Sequence, residues 1–239
     1  MLCRPNRHRE TLLHCPRMFP GHAEPEATAD YRARFPRLRD AGHFRQAVEV
    51  PGAGKLWLSS IGLGTYLGEP DDPTDQEYAR AISRALRCGL NVLDTAINYR
   101  HQRSERTIGA ALKQLIDLGE LHRNQVLIST KAGYLSFDQN LPPDPRGYIL
   151  REYLEPGILD PSQIVGGMHA IAPAYLENQI ERSRRNLGIE TIDVFYLHNP
   201  ETQLSEVSRD RFLGRLGEAF AMLERQYISE KCIHELPRL

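Results

Sequence analysis

The chain has 239 residues, with 30 basic and 31 acidic side chains and a formal net charge of −1 at pH 7. That length suits one globular domain or a fragment of a larger one. The balanced charge excludes the basic surface that nucleic acids and anionic membranes attract, and no apolar run approaches the roughly 20 residues that span a bilayer. We therefore expect a soluble protein that binds neither nucleic acid nor a membrane.

The four cysteines are scattered along the chain and form no CxxC pair: they are Cys3, Cys15, Cys88 and Cys232. This spacing favours neither a disulfide framework nor a zinc site, so we expect no bound metal. The cysteine spacing instead predicts a reducing compartment, the cytoplasm.

Composition divides the chain into three parts. Residues 1–45 are rich in Pro, Arg and His and show no sustained hydrophobic period, which predicts an extended or partly disordered leader. Met1 and Met18 are both candidate start sites. Residues 46–225 carry the regular patterns of a folded domain, and residues 226–239 form an atypical C-terminal tail.

The folded part begins with a predicted hairpin, residues 47–50 and 55–58 around a Gly-rich turn, and a short strand at residues 61–65. Further strands are predicted at residues 91–95, 126–130 and 192–197, and helices at 75–88, after Ser104 as an N-cap, at 175–187 and at 211–225. Ile108, Leu112, Leu115 and Ile116 share one helix face, as do Leu213, Leu216, Phe220 and Leu223.

Strands that alternate with amphipathic helices imply a parallel sheet joined by right-handed crossovers. The periodicity leaves two architectures open, an open doubly wound sheet and a closed barrel. A closed barrel needs eight strand–helix units, and the sequence provides four.

Four polar residues stand at or just after the predicted strand ends: Asp94, Tyr99, Lys131 and His198. Taken singly, each has a plain structural interpretation as a loop-ordering carboxylate, a packing ring, a solvated lysine or a hydrogen-bonded loop histidine. Active sites of parallel α/β folds are assembled at this edge. Their coincidence at one edge of one sheet therefore favours a catalytic site.

Together these residues suit carbonyl reduction. An unperturbed tyrosine titrates near 10, so it is a weak proton donor at neutral pH, and a neighbouring ammonium favours the phenolate. We expect Lys131 to supply that ammonium and Asp94 to pair with it. Tyr99 would then protonate the carbonyl oxygen while His198 hydrogen-bonds to it. The hydride must come from a cofactor, because no side chain supplies one.

Several segments are similar to the motifs of one known family, the aldo-keto reductases: GLGTY at residues 62–66, NVLDTAINY at 91–99, RSE at 103–105, IGAAL at 108–112, ISTK at 128–131, SRRNL at 183–187 and IDVFYLHNP at 192–200. The glycine segment alone is weak and is not a GxGxxG fingerprint. The ordered set is specific and covers about residues 47–225.

The resemblance implies a TIM (β/α)8-type barrel that uses NADPH, or NADH, to interconvert small carbonyl compounds and alcohols. It implies that Asp94, Tyr99, Lys131 and His198 are the catalytic residues. The cofactor-binding residues that it implies are Gly64, Thr65, Tyr66, Asp94 and Asn199. The long segment around residues 137–173 would lie on the catalytic face as a substrate loop, with a passive surface insertion as the alternative.

Family members bind most of the cofactor through strands five to eight, which have no counterpart before Leu239. We therefore expect a barrel truncated after about four strand–helix units, with an N-terminal hairpin and open edges through which the chain could self-associate. A frameshift or premature stop near Arg225 is one hypothesis for this ending.

Three functions stay open at this stage. The first is an aldo-keto reductase, and the second is a non-catalytic binding or regulatory module on the same scaffold. The third is a lyase or isomerase barrel in which Lys131 forms a Schiff base.

Overall fold

The structure, a computed structural model, describes residues 18–47 and 54–228. Its helices are α1 (Pro25–Ala33), α2 (Pro36–Asp40), α3 (Asp72–Arg87), α4 (Arg103–Asp117), α5 (Pro145–Ile149), α6 (Pro173–Leu187) and α7 (Arg209–Ile228). Its strands are β1 (Phe44–Gln46), β2 (Trp57–Ser59), β3 (Leu63–Gly64), β4 (Val92–Asp94), β5 (Leu127–Ala132) and β6 (Val194–Leu197). Short 3₁₀ turns cover Arg123–Gln125, Pro161–Gln163 and Pro200–Ser205, and a π-helical turn covers Leu150–Leu154.

Strands β3 to β6 form one parallel sheet in chain order. Their register pairs Gly64 with Asp94, Asp94 with Ser129, and Lys131 with Tyr196. Helices lie in the connections between successive strands, as parallel pairing requires. The prediction of a parallel α/β sheet is confirmed.

The predicted N-terminal hairpin is also present. β1 pairs antiparallel with β2, with Phe44 opposite Ser59, so its first strand lies a few residues earlier than expected. Residues 48–53, which hold most of the predicted turn, fall outside the described residues.

Local sequence explains where α3 begins and ends. The Asp71 side chain accepts a hydrogen bond from the Thr74 amide at 2.9 Å, which is an N-cap arrangement. At the other end Gly89 has φ +95°, a conformation that glycine adopts without a steric cost. The Asp71 cap places the first residue of the helix at Asp72, three residues before Asp75.

The predicted N-cap of α4 is wrong. Gln102, with φ +71°, occupies that position and makes no side-chain cap bond, while Ser104 lies inside the first turn. The Ser104 hydroxyl instead donates to the Thr65 carbonyl oxygen at 2.8 Å. The Ser104 hydroxyl therefore makes a tertiary hydrogen bond instead of the N-cap bond that the local pattern predicts.

The core lies between the sheet and the helices. Ile108, Leu112 and Leu115 of α4 are buried as predicted. The α7 stripe differs from the prediction, because Leu213 is 51% exposed whereas Ala219, Met222 and Leu223 are buried. The packed face of α7 therefore belongs to its second half.

The leader prediction is wrong for the described residues before 46, where α1, α2 and β1 are regular elements. Tyr31 of α1 is fully buried, and its hydroxyl donates to the carbonyl oxygens of Leu86 and Leu90. Phe35 and Phe44 pack against its ring with centroids 5.1 and 6.3 Å away. These aromatic contacts offset the unfavourable composition of the segment. Residues 1–17 lie outside the described residues.

A buried ion pair joins this N-terminal segment to the amino ends of the strands. Arg123 Nη2 donates to Asp193 Oδ2 at 2.7 Å, and both side chains are at most 4% exposed. Asp193 also accepts the amides of Ala23 at 2.6 Å and Ile128 at 2.7 Å. One carboxylate therefore connects three separate parts of the chain.

Within residues 18–47 and 54–228, no helix combines the length and the hydropathy that crossing a membrane requires.

Candidate active site

The structure brings the four predicted catalytic residues to the carboxyl edge of the parallel sheet. Asp94 is the last residue of β4, and Tyr99 lies in the turn that follows. His198 directly follows β6. Lys131 lies inside β5 rather than after it, because pairing with β6 continues to Ala132 opposite Leu197.

Lys131 is held by two acceptors. Its Nζ donates to Asp94 Oδ2 and to the Thr95 carbonyl oxygen, both at 2.7 Å. Asp94 Oδ1 accepts from the Ser129 hydroxyl at 2.7 Å, which fixes the carboxylate. The Lys131 side chain is 17% exposed and that of Asp94 is 42% exposed. The ammonium is therefore oriented at the rim of the sheet, with one opposite charge beside it.

The Tyr99 ring lies against this ammonium. Lys131 Nζ is 5.0 Å from the ring centroid, within the range of a cation–π contact. On its other sides the ring makes edge contacts with Tyr66, at 5.0 Å between centroids, and with His198, at 5.7 Å. Lysine, tyrosine and histidine therefore form one contiguous group.

His198 is neutral at pH 7. Burial, with the positive charge of Lys131 as the second cause, lowers the pKa of His198 to about 4. Its Nδ1 lies 3.2 Å from Asn98 Oδ1, and an amide oxygen at that position would accept from a protonated Nδ1. Reversing the Asn98 amide would place the proton on Nε2 instead. Asn98 therefore decides which ring nitrogen can donate.

The chain that follows Tyr99 has an unusual backbone. Arg100, His101 and Gln102 have φ values of +46°, +54° and +71°, a region that non-glycine residues seldom adopt. Arg100, whose side chain is 2% exposed, donates to Asp75 Oδ1 at 2.6 Å and to the Ser104 hydroxyl at 3.1 Å. These contacts hold the strained turn that fixes Tyr99 over Lys131.

The residues predicted to bind the cofactor lie at the same edge. Gly64 ends β3, and a Cβ added there would meet nothing within 4 Å. Thr65 is buried and its hydroxyl donates to Thr95 Oγ1 at 2.9 Å, whereas Tyr66 is 66% exposed. Asn199 adopts φ +48° and donates to the Tyr134 hydroxyl at 3.3 Å.

A comparison with protein families gives the same result as the residue motifs. The model of the aldo/keto reductase family matches residues 60–230, more than half of the chain. The chain belongs to the aldo/keto reductase family.

Curated relatives of this family member include the NADH-specific methylglyoxal reductase of Escherichia coli (strain K12), 29% identical over 62% of this chain and 40% of that protein. The aldo-keto reductase AFTS1 of Alternaria alternata is 28% identical over 75% of this chain and 52% of its own length. The chain thus spans about half the length of the curated relatives that it matches.

Among solved structures, the aldo-keto reductase AKR11C1 from Bacillus halodurans superposes with a TM-score of 0.54 at 21% identity, over 80% of this chain and 49% of that one. The glycerol dehydrogenase AKR11B4 from Gluconobacter oxydans gives 0.52 at 23% identity, over 80% and 47%. With the observed sheet, these likenesses confirm the predicted partial α/β barrel.

Four residues at the site of this family member were not predicted from the sequence: Thr95, Asn98, Tyr134 and His169. Thr95 and Asn98 lie in the motif around Asp94 and Tyr99, so their positions next to the two catalytic candidates could have indicated them. The Tyr134 ring makes an edge contact with His198 at 5.1 Å and with His169 at 5.0 Å. His169 lies in the long segment, where no periodicity or motif indicates it.

The long segment is more than a passive surface insertion. Tyr153 is fully buried and its hydroxyl donates to the Ser136 carbonyl oxygen at 2.7 Å. Val165 and Ala170 are also buried, and His169 forms a bridge with Tyr134. The end of the segment thus reaches the catalytic edge, and its contact with a substrate stays a prediction.

A buried carboxyl group behind the site predicts a pH-dependent stability. Glu105 is fully buried and accepts from the Thr130 hydroxyl at 2.7 Å and from Asn186 Nδ2 at 2.8 Å. Burial raises its pKa above the ordinary 4.5. As the pH rises past 4.5 the unfolded chain releases this proton first, so the free energy of unfolding should fall until the folded-state pKa is passed.

Glu105→Gln should remove that part of the pH dependence, because the amide carries no titrating proton. Urea unfolding from below pH 4.5 to neutral pH measures it, with Glu77→Gln on the exposed face of α3 as the control. A stability profile in Glu105→Gln that keeps the full slope of the unsubstituted chain would contradict the assignment.

Proposed function

We propose that this chain is an aldo-keto reductase that reduces aldehydes or ketones to alcohols with NADPH or NADH. The observation that carries the proposal is the Lys131 ammonium, fixed between Asp94 and the Thr95 carbonyl oxygen and lying against the Tyr99 ring. Proton donation by a tyrosine needs such a fixed positive charge beside it. A Schiff-base lysine would instead need to be uncharged to attack a carbonyl, and an ion pair with Asp94 opposes that.

In the proposed reaction the carbonyl carbon gains a hydride and the carbonyl oxygen gains a proton. Tyr99 gives the proton, and Lys131 stabilises the negative charge that develops on the phenol oxygen. Neutral His198 hydrogen-bonds to the substrate oxygen. This role requires the proton on Nε2, and therefore requires Asn98 to present its amide nitrogen to Nδ1.

A nicotinamide cofactor supplies the hydride when bound. We propose that Gly64, Tyr66, Asp94 and Asn199 contact it, and that Thr65, which is buried, holds this edge through its hydrogen bond to Thr95. Support comes from the open space beside Gly64 and from the exposed Tyr66 ring, which together leave room for a flat group above the strand ends. The name of the Escherichia coli relative specifies NADH, and the aldo-keto reductase AKR2E5 was solved with NADPH, so both cofactors are candidates.

The test is carbonyl-dependent oxidation of NADPH and of NADH by the full chain, with methylglyoxal as the probe aldehyde. Lys131→Met should lower kcat/KM by about 100-fold or more, since it removes the charge that stabilises the transition state. Lys113→Met is the matched control, because Lys113 is 66% exposed on α4 and, among the described residues, pairs with Asp117 alone. Equal activity in the two variants would contradict the role of Lys131, and no oxidation by the unsubstituted chain would favour the binding-module hypothesis.

We also propose self-association and a cytoplasmic location for this chain. Within residues 18–47 and 54–228, β3 and β6 are the outer strands of the sheet, each paired on one side, and unpaired edges promote association. The scattered cysteines, which form no CxxC pair, support the cytoplasmic location. Light scattering on the eluted chain should show dimers or larger species, and a monomer at every concentration would contradict self-association.

A further inference from the structure

Among the described residues, no backbone amide of a neighbouring strand donates to the carbonyl oxygen of His198. The His198 amide still donates to the Ala132 carbonyl oxygen at 2.8 Å, but Asn199 then adopts φ +48° and the chain leaves the sheet. The His198 carbonyl oxygen receives its hydrogen bond from His169 Nε2 at 2.8 Å. A buried backbone acceptor without such a donor would be costly.

The protonation of His169 is fixed by its partners. A carbonyl oxygen only accepts, so His169 Nε2 carries the proton, and His169 Nδ1 accepts from Gln203 Nε2 at 2.8 Å. The orientation of the Gln203 amide is fixed in turn, because Arg215 donates to its Oε1. Burial lowers the pKa of His169, which agrees with a neutral ring.

The packing around this ring is close. Its Nε2 lies 2.9 Å from where a Cβ on Gly133 would be, and the His198 carbonyl oxygen lies 2.6 Å from the same point. Any side chain at position 133 would therefore separate the two histidines. Tyr134 then contacts both rings edge-on, at 5.0 Å for His169 and 5.1 Å for His198.

We propose that His169 is a positioning residue: its hydrogen bond to the His198 carbonyl oxygen fixes the end of β6, so that the His198 ring faces Tyr99. The inference rests on the proposed reductase function for its catalytic consequence. Gln203 and Arg215 keep His169 in the tautomer that donates from Nε2. Through Arg215 and His169, α7 and the long segment therefore help to position the site.

The test uses two replacements of His169 in the full chain. His169→Leu fills the space without a donor and should lower kcat by about 10- to 100-fold, the cost of a small misplacement of a reacting group, with little change in KM. His169→Gln places an amide N–H near the position of Nε2 and should restore most of kcat. His43→Leu is the control, because His43 Nε2 also lies 3.2 Å from a carbonyl oxygen, that of Gly89, away from the site.

A second readout is independent of activity. In ¹⁵N-histidine NMR spectra of the full chain, the signals of the His198 ring should shift or broaden in His169→Leu and stay near their original positions in His169→Gln and His43→Leu. If His169→Leu does not fold, His169→Asn replaces it, since its side chain is too short to reach the carbonyl oxygen.

The outcomes separate the two proposals. Unchanged His198 signals in His169→Leu, or a kcat equal to that of the unsubstituted chain, would overturn the positioning role. An unsubstituted chain without reductase activity would overturn the proposed function, and the NMR comparison would still decide the role of His169.

Discussion

Tyr99→Phe should lower kcat/KM for carbonyl reduction by about 100- to 10,000-fold, the usual contribution of a general acid. The substitution removes only the hydroxyl group, so the ring keeps its contacts with Lys131, Tyr66 and His198. The fold and the cofactor affinity should therefore be unchanged. The measurement is steady-state oxidation of the reduced nicotinamide, with cofactor binding followed separately by fluorescence.

Tyr66→Phe is the matched control for this prediction. Its ring lies 5.0 Å from that of Tyr99 at the same edge, but the Tyr66 ring is 66% exposed and has no cation–π contact with Lys131. It should retain kcat within a few-fold, because the proposed cofactor contact of Tyr66 is made by its ring, which the substitution keeps. If Tyr66→Phe and Tyr99→Phe lost activity equally, the proton donor would not be Tyr99.

Asp193→Ala should lower the free energy of unfolding by about 3–5 kcal/mol, because it leaves the Arg123 guanidinium buried without its partner. The amides of Ala23 and Ile128 lose an acceptor as well. Domains of this kind are stable by only about 5–15 kcal/mol, so the loss is a large fraction. Urea unfolding of the full chain, followed by circular dichroism, measures it.

Asp117→Ala provides the control for Asp193→Ala. Asp117 pairs with Lys113 across one turn of α4, and both side chains are more than half exposed. Such a pair contributes about 0.3–0.5 kcal/mol. If Asp193→Ala is too unstable to purify, Asp193→Asn keeps the shape and removes the charge. A loss below about 1 kcal/mol in both Asp193 variants would show that this network is not essential.

The sequence predicts the sheet and the four catalytic candidates because local rules place them. Gly89 and Gly188 end helices, and both have positive φ values in the structure. The carboxyl ends of parallel strands meet at one edge, so Asp94 and His198 could be placed there from strand order alone. The pairing of Asp94 with Lys131 was predicted as well, whereas the contacts of Asp94 with Ser129 and of His198 with Asn98 were not.

The remaining features depend on contacts between distant parts of the chain. The His169 ring is held by hydrogen bonds to the His198 carbonyl oxygen and to Gln203, and the sequence near His169 indicates neither contact. Tyr31 anchors the N-terminal helices through the carbonyl oxygens of Leu86 and Leu90, although the composition of that segment predicts disorder. In both cases tertiary packing overrides the local pattern.

Transfer of deuterium tests the central claim most directly. The full chain is incubated with methylglyoxal and with NADPH or NADH deuterated at the transferable position of the nicotinamide, and the alcohol is analysed by mass spectrometry. The expected product is an alcohol that carries one deuterium on the former carbonyl carbon, formed by the unsubstituted chain and formed about 100-fold or more slowly by Tyr99→Phe. A chain that binds the cofactor yet forms no deuterated alcohol would contradict that claim.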